Sequence, residues 1–192
     1  MIHAHPTLSE GIMEAMADGD EAAYAVLIER YQTPINAFVF RSLGNNETAR
    51  ELTQDVFVKA WFALPRVQEL ARFSTWLFQI AANLCRDHAK SKAGRNARLT
   101  DSIAREDGQA EFAVAHPSLA PDKQAQSLET MTALQSAISS LPVELREAFV
   151  LGAVEEMPYK DVAVVLGLSS KAVELRVYRA RKLLAERLRC AA

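Results

Sequence analysis

Residues 159 to 184 read "YKDVAVVLGLSSKAVELRVYRARKLL", and this stretch decides how the rest of the chain is understood. Two apolar-striped segments meet at Gly167; the second opens on Ser169 and Ser170 and then fills with Arg and Lys. A short helix, a turn of three or four residues containing a glycine and a longer helix make a helix-turn-helix. Gly167 supplies the left-handed backbone that ends the first helix. Ser169 or Ser170 caps the second, leaving its first amides free to approach phosphate. Val173, Val177, Ala180 and Leu184 recur at helical steps, which turns that face inward. The other face then displays Lys171, Leu175, Tyr178, Arg179 and Lys182, with Glu174, Arg176 and Arg181 at its margins. In a major groove Arg and Lys donate to guanine edges while flanking cations neutralise phosphates. A basic last turn alone would only complement the helix dipole. Turn, caps and charge together point to a helix that enters DNA.

Charge is segregated around this stretch. The formal net charge is −2, yet from residue 159 onward eight basic residues face three acids. Residues 86–98 carry five basic residues against one acid, whereas residues 1–64 carry nine acids against four basic residues. Two basic patches and an acidic one fit a polyanion contact and a separate basic partner. A chain of 192 residues that is 49% hydrophobic and 24% charged has the composition of a soluble globular protein. Seven Gly, seven Pro and few β-branched runs favour an all-α chain. Cys85 and Cys190 have no CxxC partner and suggest a reducing compartment. No apolar run approaches the roughly 20 residues of a membrane span. The opening "MIHAHPTLSE" lacks the basic and apolar regions of a signal peptide, so the expected location is cytoplasmic.

Upstream, the periodicity predicts a helix over Leu8–Ala17 and another from Asp20, which Pro34 should kink or divide. "LGNN" at 43–46 closes that element and caps a third, "ETARELTQDVFVKAWFAL", with Leu52, Val56, Ala60 and Ala63 on its inner stripe. After the loop "PRVQELAR" comes "FSTWLFQIAANLCRDHAKSK", whose Leu77, Ile80, Ala81, Leu84 and Cys85 face inward. Its Phe73, Trp76 and Phe78 either stack on the bases of a single strand, with the basic tail behind them, or are plain core. Residues 20–92 thus form one small helical domain behind an N-terminal extension, 1–19. From 93 to 126 periodicity lapses and Gly94, Gly108, Pro117 and Pro121 intervene, as in a flexible linker. Residues 127–192 make a second four-helix domain, starting with a helix over Leu128–Ile138 and with Pro142 and Pro158 at the first turns of the next two.

Four blocks in this order, "ARELTQDVFVKAWFALPR", "FSTWLFQIAANLCRDHAK", "LPVELREAFVL" and the helix-turn-helix, resemble the bacterial extracytoplasmic-function (ECF) sigma factors. The resemblance implies region 2 and region 4 helical domains on a linker, and a protein that binds core RNA polymerase and directs it to promoter DNA. It implies that the third helix docks on the clamp helices of the polymerase β′ subunit through Glu51, Gln54 and Asp55, with Phe57 or Trp61 as apolar contacts. Region 4 would meet the β flap. Loop 66–72 and the helix behind it would read the flipped-out −10 strand through Arg72, Asn83 and Arg86, with Trp76 in support. Many relatives carry Gly and Ser in that loop, where this chain has "RVQELARFS". The −35 duplex would be met by Lys171, Glu174, Leu175, Arg176, Tyr178, Arg179 and Lys182; Glu174 replaces a residue that is often basic and either accepts from cytosine or pairs with Lys171 or Tyr178. An anti-sigma factor, often membrane-anchored, is the implied regulator.

Two other classes fit the residues. A stand-alone helix-turn-helix regulator would bind duplex tightly without polymerase, usually as a dimer on paired half-sites. A helical adaptor would sequester a protein without touching DNA. An enzyme is not expected: there is no phosphate-cradling glycine loop and no nucleophile–base pair. His3, His5, His88 and His116 lack ligand-spaced partners, so no metal and no cofactor is foreseen. Cys85 reads as packing.

Overall fold

The computed structural model describes residues 10–64, 73–98 and 134–191. Helix α1 is Glu10–Ala17 and α2 is Glu21–Leu43. Asp20 starts α2 by accepting from the amides of Ala22 at 2.8 Å and Ala23 at 3.2 Å, filling two orphan donors of the first turn. Gly44, at φ 73°, ends it, and Asn45 caps α3 (Asn46–Ala63) by accepting from the Thr48 amide at 2.8 Å. Pro34 lies inside α2, which runs on undivided from Glu21 to Leu43. Tyr31, Ile35 and Phe38 on either side are buried, and that packing outweighs the one missing donor.

Helix α4 spans Phe73–Arg98 and so continues past residue 92, where the linker was expected to begin. Gly94 costs the helix about 1 kcal/mol relative to alanine, which the good helix formers around it offset. The rest of the linker, and most of the helix expected over Leu128–Ile138, lie outside the described residues. Residues 134–139 are helical (α5), followed by α6 (Val143–Phe149), α7 (Tyr159–Leu166) and α8 (Ser170–Ala191). Pro142 and Pro158 each occupy the cap position one residue before the helix, where a missing N–H is harmless. No strand occurs among the described residues.

Helix α6 runs on as a π-helical turn, Val150–Val154, which no motif announced. Gly152 lies in it, and a Cβ there would sit 3.0 Å from Tyr159 Cε1 and 3.4 Å from Val177 Cγ2. Helices α7 and α8 therefore press on bare backbone. Gly152→Val is expected to destabilise the chain by about 1–3 kcal/mol, the usual loss from overpacking, read as a lower urea midpoint.

Helices α2, α3 and α4 pack on one another, with α1 against α2, and α6, α7 and α8 surround the π turn. The core rings of the first group include Phe38 and Phe78, edge to face at 5.6 Å. The two groups also meet, which the sequence did not foretell: α4 lies along α7, and α2 touches α6 and the π turn. Arg41 on α2 pairs with Glu155 at 2.7 Å, and Arg146 on α6 donates to the Ser42 carbonyl.

Candidate nucleic-acid and polymerase interfaces

Helix α8 begins where the sequence placed it. Gly167 adopts φ 67° and closes α7, and Ser169 Oγ accepts from the Ala172 amide at 3.2 Å, so Ser169 is the cap. Val173, Val177, Ala180 and Leu184 are buried against α6, α7 and the π turn. That fixes the rotation of the helix. Lys171, Glu174, Leu175, Tyr178, Arg179 and Lys182 are all exposed together on the outward face, with Tyr178 at 65%. Arg176 stands at the rim, half-buried, its Nη2 3.2 Å from Glu144 Oε2. Neither Lys171 nor Tyr178 forms an ion pair or hydrogen bond with Glu174 among the described residues, so that carboxylate points to solvent.

Helix α3 presents a second surface. Glu51, Gln54 and Asp55 are exposed, as expected. Phe57 is not: it is buried at 6% exposure, and its carbonyl accepts from the Tyr24 hydroxyl. Burial pushes the Tyr24 hydroxyl up to about 12, partly offset by a backbone hydrogen bond at Trp61, so it remains a donor. Trp61 is half-buried, edge-on to Tyr24 with ring centroids 4.7 Å apart. The apolar group that projects is Phe62, 75% exposed, with Val58 at 55%. The sequence reading passed over both. The signal was available, because Glu51, Asp55, Val58 and Phe62 follow one another at steps of four, three and four.

Of the residues assigned to a −10 strand, Trp76, Asn83 and Arg86 lie on α4. Arg72 and the rest of the loop 66–72 lie outside the described residues. Phe73 and Phe78 are buried core, which settles the stacking alternative against them, and Trp76 is half-buried with its ring 5.2 Å from that of Phe73. Asn83 is exposed. Arg86 instead turns to the other half of the molecule, its Nη2 donating to the Val165 carbonyl at 3.4 Å and its Nε 3.7 Å from Glu147 Oε1.

Glu147 is buried at 5% exposure beneath this contact. Burial raises its carboxyl above the ordinary range, against the pull of Arg86, Arg176 and Arg146; burial raises Glu155 likewise against Arg41. Both carboxyls hold protons more tightly folded than unfolded, so their contribution to stability is full below the unfolded value of 4.5 and lost as pH rises through the folded values. Glu147→Gln should accordingly flatten the fall of the melting temperature above that pH, measured by thermal denaturation across a pH series. Cys85, 2% exposed, is pushed up to about 12 by burial, reinforced by Glu147, which makes it packing rather than an ionised thiol. No cluster of three His, Cys, Asp or Glu suited to a metal occurs among the described residues. No described helix is long and apolar enough to cross a membrane.

Comparison with known proteins places both halves. Residues 27–95 match the family model for Sigma-70 region 2, and residues 131–184 match that for Sigma-70, region 4. The chain is 30% identical over 175 residues to the RNA polymerase sigma-H factor of Pseudomonas aeruginosa, covering 89% of each protein. It is 28% identical over 172 residues to the ECF RNA polymerase sigma factor SigW of Bacillus subtilis, covering 89% of this chain and 91% of SigW. The chain belongs to the ECF sigma factors. Among solved structures, this sigma factor is similar to CnrH in complex with the cytosolic domain of CnrY, with a TM-score of 0.66 and 29% identity over 94% of this chain and 97% of that one.

Proposed function

We propose that this ECF sigma factor docks on core RNA polymerase through α3 and carries it to promoters by reading both elements of the start site. Residues 20–92, with the α4 tail running on to Arg98, take region 2 duties, and residues 127–192 take region 4 duties, with 93–126 between them and 1–19 ahead. On α3, Glu51, Gln54 and Asp55 face the basic clamp helices of β′, and Phe62 with Val58 supplies the apolar anchor instead of the buried Phe57. The outward face of α8, through Lys171, Leu175, Tyr178, Arg179 and Lys182, enters the −35 major groove while region 4 rests on the β flap. Asn83, Arg86 and the loop carrying Arg72 meet the −10 strand, with Trp76 holding the loop from behind. The protein works in the cytoplasm as an initiation factor rather than a catalyst. That CnrH is seen bound to the cytosolic domain of CnrY supports an anti-sigma factor, tethered to the membrane, as the regulator here.

The observation that carries this reading is the α8 face: six side chains, five of them charged or aromatic, exposed together on a helix whose inner stripe fixes its rotation. Run-off transcription with core polymerase on a promoter library tests it, and gel shifts with and without core separate it from a stand-alone regulator. Start-site choice should appear only with both components present. Tight, specific duplex binding by the chain alone would instead support the stand-alone regulator.

Glu174 adds a specificity expectation. An acid in the groove accepts from a cytosine amino group and repels phosphate. Glu174→Lys should change the preferred −35 sequence and steepen the salt dependence of promoter binding by about one phosphate contact, near −0.9 in log–log slope. Salt titration of holoenzyme binding on a −35 library reads both, and unchanged values would remove Glu174 from the interface.

A further inference from the structure

Helix α8 carries two large apolar side chains, Leu175 and Tyr178, on the face it turns to solvent, 47% and 65% exposed. Neither belongs to the inner stripe of Val173, Val177, Ala180 and Leu184, all of which are buried. At about 100° per residue, Leu175 lies half a turn around the helix from Leu184, diametrically opposite that stripe. It therefore occupies the crest of the outward face. Arg179 flanks it on one side and Lys171, Lys182 and Tyr178 on the other, and all four are exposed. It also stands in the second turn of a helix that begins at Ser170, and the first turns of a recognition helix are the ones that reach base edges. An isolated exposed leucine is ordinary. This one is set apart by its place, at the point of α8 that would go deepest into a groove and within a ring of cations.

Resting on the promoter reading above, we propose that Leu175, flanked by the Tyr178 ring, reads a thymine of the −35 element by covering its C5-methyl group. A leucine side chain offers neither donor nor acceptor, so it cannot pair with the polar edges of guanine, adenine or cytosine. The thymine methyl is the apolar group that a base pair presents in the major groove. Contact between the two removes both from water together. Against any other edge the leucine strips water from a ring nitrogen, a carbonyl or an amino group and returns no hydrogen bond, which penalises the wrong base. Tyr178 is three residues beyond Leu175, a neighbour on the same face. Its ring widens the apolar contact, and its hydroxyl can donate to a phosphate. Lys171, Arg179 and Lys182 draw the polyanion onto this surface, but a cation has no means of sensing a methyl group. The occupant that fits an apolar crest inside a basic ring is thus a duplex carrying thymine.

The test changes the DNA by one methyl group and leaves the protein whole. Holoenzyme is titrated with its preferred −35 duplexes, in which each thymine is replaced in turn by deoxyuridine. At one position the loss should be about fourfold, the worth of one buried methyl-sized group. Substituting 5-bromodeoxyuridine there should restore binding, because bromine fills the volume of the methyl. Leu175→Ala should bind thymine and deoxyuridine alike at that position, with an unchanged melting temperature and an unchanged salt slope, since no charge has been altered. Leu175→Met, which keeps the apolar volume, should retain the preference. Indifference of the unaltered chain to every thymine-to-deoxyuridine change overturns the proposal. So does a deoxyuridine effect that keeps its full size in Leu175→Ala, which would place the methyl against another side chain. The same titrations without core polymerase keep this reading apart from the sigma reading. A Leu175-dependent methyl effect shown by the chain alone, with no start-site choice when core is added, upholds the thymine contact and removes the sigma function. Absence of sequence preference in both forms takes down both.

Discussion

Phe62→Asp should weaken binding to core RNA polymerase by about thirtyfold or more while leaving the melting temperature of the chain almost unchanged. Phe62 is 75% exposed, so its removal takes little from the fold, and surface changes of this kind usually move stability by about 0.5 kcal/mol or less. At an interface the balance reverses. A single aromatic anchor in a partner's pocket commonly carries about 2 kcal/mol or more of binding, a factor of about thirty. Replacing it with an acid also places a charge where the contact must be dry. Fluorescence anisotropy of labelled chain titrated with core polymerase reads the effect. Phe57→Ala is the contrasting variant: that ring is 6% exposed and supports α3 from inside, so its loss should lower stability by about 3–5 kcal/mol. If Phe62→Asp bound core polymerase as tightly as the unaltered chain, α3 would not be the docking helix.

Arg179→Ala should cost the holoenzyme about 1–3 kcal/mol of discrimination at one position of the −35 element, roughly five- to 150-fold, with other positions unaffected. Arg179 is exposed on the outward face of α8, one residue from Tyr178 and four from Leu175. Val177 and Ala180, at 1% and 0% exposure on either side, keep that face from rotating. A rigidly presented guanidinium can bond a guanine edge with two donors, which a lysine cannot imitate. The measurement is holoenzyme binding to a library in which each −35 position is varied, at several salt concentrations. Uniform weakening across all sequences, with a shallower salt slope, would assign Arg179 to phosphate and leave base reading to its neighbours.

The sequence was most legible where a local rule ruled alone. Gly167, Ser169 and the stripe from Val173 to Leu184 specify the start, rotation and outward face of α8 without reference to anything distant. Asp20, Gly44 and Asn45 did the same for α2 and α3. Helix α3 was half read. Its inner stripe is wider than Leu52, Val56 and Ala60, since Thr53 and Phe57 are buried as well, and a band that broad turns Phe62 rather than Phe57 outward. Pro34 does not divide α2, because its local cost loses to the packing of Tyr31, Ile35 and Phe38 around it. The π turn left no trace beyond Gly152, whose need appears only when Tyr159 and Val177 come to rest on it. Arg86 was the hardest to place. Its partners Glu147 and Val165 lie far along the chain, and no periodicity encodes a meeting between distant helices.

The bond from the Tyr24 hydroxyl to the Phe57 carbonyl, with Trp61 set edge-on against the same ring, ties the outer half of α3 to α2. The platform under Phe62 is thus stiff before any partner arrives, and little ordering entropy is left to lose on capture. Loosening it, for instance by Tyr24→Leu, should shorten the residence time on polymerase by making release faster, while the rate of encounter stays the same.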